Sequence, residues 1–197
     1  MPPTRAESRA AHRTALLDAA RVLVTQDGAG VPLARIAAAA GLTTGAVYSI
    51  FGSKSELLVA LVRENVARAE PHLPDLTGDP SLASVVDGYV QAWLTGFGDD
   101  ELRHNAFELQ VLLEAAQDDR LTARLGAWAD EETARVADLL TGRRTPQGTR
   151  TTAQQARALA SSLQAVLAGF GVRAAVQRQD PGLVRRTCAA LVPATLS

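Results

Sequence analysis

Residues 33–62 read LARIAAAAGLTTGAVYSIFGSKSELLVALV, and the recurrence of apolar positions along them decides the fold. Ile36, Ala37 and Ala40 share one face of a short helix that stops at Gly41, and Leu42, Val47 and Ile50 give the inward face of a second. Two short helices that cross steeply need a small residue where they touch, which Ala37 supplies. They also need a turn residue able to take positive φ, which Gly41 supplies. The spacing is that of a helix-turn-helix. With Val47 and Ile50 facing inward, Thr44, Gly45, Tyr48 and Ser49 are left facing outward.

Upstream, residues 13–30 (RTALLDAARVLVTQDGAG) carry Leu17, Ala20, Leu23 and Val24 at spacings of three and four. They predict an amphipathic helix from about Thr14 to Asp27, closed by Gly28. Pro32 suits the first turn of the next helix, where its missing N–H costs nothing. Thr43 or Thr44 can cap the third helix, which Gly52 interrupts. Ser53-Lys54-Ser55-Glu56 is a capping box opening a fourth helix through Leu57, Leu58, Leu61, Val62 and Val66.

Downstream, Pro71, Pro74, Gly78 and Pro80 mark a break. A fifth helix carries Val85, Tyr89, Trp93 and Phe97, and two more span Leu102–Ala116 and Leu121–Leu140. Residues 141–152 are a polar loop. A long helix from about Ala153 to Gln179 presents a bulky face (Leu159, Leu163, Val166, Leu167, Phe170) and a small-residue face (Ala158, Ser161, Ser162, Ala165, Gly169, Val172). Asp180-Pro181 starts a last helix that carries Val184, Cys188, Leu191 and Val192 on one face and reaches Pro193. The expected fold is all-α with about nine helices and no internal repeat.

Composition agrees with helix. Of 197 residues, 37 are Ala and 26 Leu, against 2 Ile and 8 aromatics, so strand formers other than Val are scarce. The lone cysteine, Cys188, excludes an intrachain disulfide framework and a multi-thiolate zinc site, and it fits a reducing cytosol. No apolar run approaches the roughly 20 residues needed to span a bilayer, and MPPTRAESRAAHRTALL carries charges where a signal peptide needs its apolar stretch, so the expected address is cytoplasmic.

The net charge of -1 conceals an uneven distribution. Residues 1–54 hold six bases and three acids, residues 99–138 eleven acids and four bases, and residues 139–197 eight arginines and one aspartate. A mildly basic N-terminus beside a helix-turn-helix points to nucleic acid. Enzyme signatures fail on context. Gly169, Gly171 and Ala174 fit a dinucleotide fingerprint only inside a helix, with no strand before it. No G-x-S-x-G occurs, Lys54-Ser55 lacks the glycines of a phosphate loop, and His12, His72 and His104 have no metal-ligand spacing. The expectation is a non-enzymatic protein without metal or cofactor.

Residues 10–65 closely resemble the TetR family of one-component transcriptional regulators, through Ile36-Ala37, Gly41, Gly45, Val47-Tyr48, Phe51 and Lys54 to Leu57. LEAAQDDRLTARL (113–125) and AVLAGFGVRAAVQRQDP (165–181) resemble the family's ligand-domain helices more weakly. The resemblance implies base contacts from Thr44, Gly45, Ala46 and Ser49 and phosphate contacts from Thr43, Tyr48 and Lys54. Lys54, the single lysine among 20 bases, also sits at a helix start that favours anions. Val31 departs from the family's usual hydroxyl at that position, and Ile50 from a common His. The recognition side chains are small, with no Arg, Asn or Gln to read a base bidentately. Specificity then leans on methyl contacts, DNA shape, or Arg5, Arg9 and Arg13 in a flexible arm.

The implied organisation is a DNA-binding domain over 1–54 with an arm over 1–12, a connecting helix over 55–70, and a ligand-binding and dimerisation domain over 71–197. Tyr89, Trp93, Phe97, His104, Phe107 and Trp128 are the candidates to line an effector cavity. The expected partners are a double-stranded DNA operator, a small-molecule effector and a second copy docked through helices 153–179 and 181–192. The expected function is a ligand-released repressor. The competing reading is a helical small-molecule- or partner-binding dimer without operator binding.

Overall fold

The computed structural model describes residues 4–67, 77–95, 101–174 and 177–196, with the side chains of 65–67, 101–107 and 194–196 outside the description. Those residues form α1 (Arg5–Asp27), α2 (Leu33–Ala39), α3 (Thr44–Phe51), α4 (Lys54–Ala67), α5 (Leu82–Thr95), α6 (Glu101–Ala115), α7 (Asp119–Leu140), α8 (Ala153–Ala174) and α9 (Pro181–Leu196). Among them the only β pairing takes the form of isolated bridges, Ser81 with Arg144 and Arg144 with Arg150. The all-α expectation holds. Two compact units result, Met1–Asn65 with Ala106–Gly126 and Val66–Asn105 with Ala127–Ser197. The unit around the helix-turn-helix therefore also takes in the corner between α6 and α7, which the sequence pattern assigns to the ligand domain.

In the first unit, α1 starts at Arg5 rather than near Thr14. The Thr4 hydroxyl accepts the Glu7 amide at 3.2 Å and the Glu7 carboxylate accepts the Thr4 amide at 2.6 Å, a reciprocal cap. Residues 5–13 are thus helix and not a flexible arm. The Leu42 amide reaches back to the Ala37 carbonyl at 2.8 Å across Gly41, whose φ is +68°. That closure bends the chain by 100° between α2 and α3. Leu16, Ala20 and Val24 of α1, Ile36 and Ala37 of α2, Val47 of α3 and Leu57, Leu58 and Leu61 of α4 fill the interior. Burying each of the leucines contributes roughly 1.5–3 kcal/mol. The expected box at the start of α4 is present by half: Ser53 Oγ accepts the Glu56 amide at 3.1 Å, but the Glu56 carboxylate pairs with Arg124 at 2.7 Å.

In the second unit, Leu82, Val85, Val86 and Val90 of α5 pack with Leu159, Leu163 and Leu167 of α8 and Val184, Cys188 and Val192 of α9. Arg185 clamps Asp87 with bonds of 2.7–2.9 Å, tying α9 to α5. The loop over 141–152 is ordered by backbone bonds (Gly142 N to Thr151 O, 2.9 Å; Thr145 N to Thr149 O, 2.8 Å) and by Arg150 on Asp79. The Arg150 guanidinium holds the Asp79 carboxyl below its ordinary range. Two ends differ from the sequence expectation. Residues 177–179, expected within α8, lie outside it, and Asp180 caps α9 by accepting the Gly182 amide at 2.9 Å. Conversely, α9 runs through Pro193 to Leu196.

Candidate nucleic-acid interface

The outer strip of α3 is set by its cap and its period. Thr43 holds the first turn by accepting the Ala46 amide at 3.3 Å, so its hydroxyl is partly committed within the helix. Val47 is fully buried, which turns Gly45, Tyr48 and Ser49 to solvent and leaves Thr44 and Ala46 half-exposed. Tyr48 is 55% exposed, a phenol standing off the surface rather than packed into it. The six positions expected on this strip are brought together. Ile50, expected inward, is only half-buried.

Beside that strip runs an open cleft of about 620 Å³, with Arg5, Arg9 and His12 of α1 on one wall and Ala46, Ser49 and Ile50 of α3 on the other. Arg9 Nη2 donates to the Ser49 carbonyl at 3.1 Å, and the Arg13 guanidinium lies 5.0 Å over the Phe51 ring. The arginines assigned to a mobile arm are therefore ordered on a helix, two of them bracing the last turn of α3. The signal was Thr4-x-x-Glu7, a cap signature placed ahead of a polar stretch with no apolar period to mark it as helix. Val31, the departure noted above, is buried at 3% exposure and donates its amide to the Gly28 carbonyl.

Lys54 stands at the start of α4 as expected, but its ammonium is engaged: Nζ lies 3.1 Å from Glu114 Oε1 of α6. The next two residues are also held by the α6–α7 corner. Ser55, buried to 6% exposure, donates to Asp118 Oδ2 at 3.0 Å, and Glu56 takes Arg124. Sequence spacing gave no sign of these partners, which lie 60 or more residues away.

The effector candidates divide. Tyr89 and Trp93 pack against the core of the second unit, Trp128 is half-buried on α7, Phe97 lies outside the described residues, and so do the side chains of His104 and Phe107. Burial pushes the Tyr89 hydroxyl up to about 12, with Arg135 and Glu132 of α7 and Cys188 of α9 close enough to act on it. Glu132 and Arg135 pair at 2.8 Å, and Thr133 Oγ1 lies 2.6 Å from Gln164 Oε1. Glu132 and Arg135 are absent from the cavity candidates that the sequence offers, which are aromatic apart from His104. Among the described residues no group of His, Cys, Asp and Glu is arranged to hold a metal, and no single helix is long and apolar enough to cross a membrane.

Residues 16–61 match the family of bacterial regulatory proteins, tetR family. No curated protein matches the sequence. Among solved structures, a TetR-family transcriptional regulator from Rhodococcus sp. superposes with a TM-score of 0.71 at 16% identity, over 95% of this chain and 100% of its own. The multidrug binding protein EbrR, solved with imidazole, gives 0.67 at 25% identity over 98% of each chain. A transcriptional regulator from Saccharomonospora viridis in complex with choline gives 0.61 at 19% over 92% and 95%. Residues 16–61 thus carry the sequence pattern of bacterial regulatory proteins of the tetR family, and nearly the whole chain carries a fold shared with transcriptional regulators of that family.

Proposed function

We propose that the protein is a cytoplasmic repressor that binds a palindromic operator as a homodimer and leaves it when a small molecule occupies the second unit. The observation that carries the reading is the solvent-facing strip from Thr43 to Ser49, set at 100° to α2 and flanked by Arg5, Arg9 and His12. In this reading Thr44, Gly45, Ala46 and Ser49 meet base edges, and Tyr48 and Thr43 meet phosphates. Lys54 joins them once its ammonium exchanges Glu114 for a phosphate.

Dimerisation is supported by α8, whose Ala158, Ser161, Ala165, Gly169 and Val172 remain exposed while its leucines are buried, and by the 45% exposure of Leu183 on α9. A two-fold pair sets its recognition helices about 34–36 Å apart, one turn of duplex. The effector reading draws on Tyr89, Trp93 and Trp128 with the nearby Glu132 and Arg135, and on the imidazole and choline held by two structural relatives. Ligand release requires the effector to favour the state with the weaker DNA grip.

Selection of genomic fragments on the purified protein tests this. The expected product is a palindrome bound with steep salt dependence by a dimer and released by a small molecule found in a screen. A solitary subunit, or affinity indifferent to salt, overturns it.

A further inference from the structure

We propose that Glu114 is a built-in competitor of DNA at Lys54, an internal carboxylate in the place of a backbone phosphate that lowers the resting affinity for duplex. The inference rests on the DNA-binding reading above and adds a residue to it. Lys54 opens α4, where free amides and the helix dipole attract an anion, and the anion already there belongs to the chain: Glu114 Oε1 lies 3.1 Å from Nζ.

The pairing is built rather than incidental. Ser55 and Glu56 fasten the same turn to Asp118 at 3.0 Å and Arg124 at 2.7 Å. Asp118 Oδ1 accepts the Leu121 amide at 3.0 Å, so the residue that grips Ser55 also starts α7. On the other side α6 lies against the loop before α2, where a Cβ added to Gly28 would come within 3.0 Å of Gln110 Oε1. The end of α6 is therefore held from both sides, and Glu114 with it. At the start of α4 Lys54 is matched by Glu114 and Glu56 by Arg124, so a phosphate approaching this turn meets paired charges, not the positive charge of a free lysine.

Four proteins test the proposal on one mixed-sequence duplex, by fluorescence anisotropy between about 50 and 200 mM salt: wild type, Glu114→Gln, Lys54→Ala and the double variant. Freeing a half-buried lysine from its carboxylate should tighten binding about two- to fivefold and steepen the log–log salt slope by up to about 0.9. The same substitution on the Lys54→Ala background should change little. Glu114→Asp, which keeps the charge but withdraws it by one methylene, should give a smaller gain of the same sign and serves if the Gln variant folds poorly. Unchanged or weaker binding by Glu114→Gln overturns the proposal, as does an equal gain on both backgrounds, which marks a general field effect of losing an acid. A wild type that binds no duplex overturns the DNA-binding reading as well, and that is visible before any variant is made.

Discussion

Gly41 fixes the corner between α2 and α3 through its backbone alone. Its φ is +68° and nothing lies within 4 Å of where a Cβ would sit. Gly41→Ala should therefore cost only the left-handed strain, about 1–2 kcal/mol, seen as a lowered urea midpoint, and Gly41→Asn less, because Asn tolerates that region. A loss far above this would mean that the corner is packed more closely than the geometry shows. Tyr48 tests the opposite case: at 55% exposure its hydroxyl supports nothing in the fold. Tyr48→Phe should leave the melting temperature unchanged and weaken DNA binding a few-fold for all sequences, whereas Thr44→Ala should alter base preference. Positions of this kind were legible because a helical period of 3.6 fixes which side chains face out once Val47 faces in. The bond from Arg9 to the Ser49 carbonyl and the pair of Lys54 with Glu114 were not legible, since partners 40 and 60 residues apart are joined by tertiary packing on which no local spacing bears.

At the scale of the element, the first two turns of α1 show what apolar periodicity misses. Between Arg5 and Arg13 the side chains are polar or small and largely exposed, so this stretch is held in helix by continuity with the turns after Thr14, by the Thr4–Glu7 cap, and by the contacts of Arg9 and Arg13 with the end of α3. Thr4→Ala should speed amide exchange from residues 5–13 and leave it unchanged in α2 and α3, and it should weaken DNA binding if Arg5 and His12 contact the duplex. The Thr4 amide and hydroxyl hold the Glu7 carboxyl below its ordinary range, so the cap is complete above that range. As pH falls through the lowered value, Glu7 takes up a proton and the first turns should fray. Exchange in 5–13 that is insensitive both to Thr4→Ala and to acid would show that the contacts of Arg9 and Arg13 with α3, not the cap, hold the helix.

For the molecule as a whole, division into two units gives an alkaline limit that belongs to one of them. Tyr89 and Cys188 both lie in the second unit, where burial pushes the phenol up to about 12 from 10.0 and the thiol up to about 11 from 9.0. In each case folding favours the neutral form, so the contribution is fully present below the unfolded value and is lost as pH rises through the folded one. Stability should be level through neutral pH, fall from about 9 as Cys188 begins to ionise in the unfolded chain, and fall faster from about 10 as Tyr89 joins. Each group should remove on the order of 2 kcal/mol across its window. Trp93 and Trp128 are the chain's two tryptophans and both lie in that unit, so their emission reports its unfolding, while far-UV circular dichroism reports both units. The urea midpoint by tryptophan emission should decline with pH ahead of the midpoint by circular dichroism. Cys188→Ala should abolish the decline that starts near 9, and Tyr89→Phe the steeper part. Cys188 is fully buried, so its reaction with a thiol reagent should follow the same opening, slow at neutral pH and accelerating more steeply than thiolate formation alone predicts. Labelling that tracks only the ionisation of a free thiol, or coincident midpoints by both probes at every pH, would show that the second unit does not open on its own.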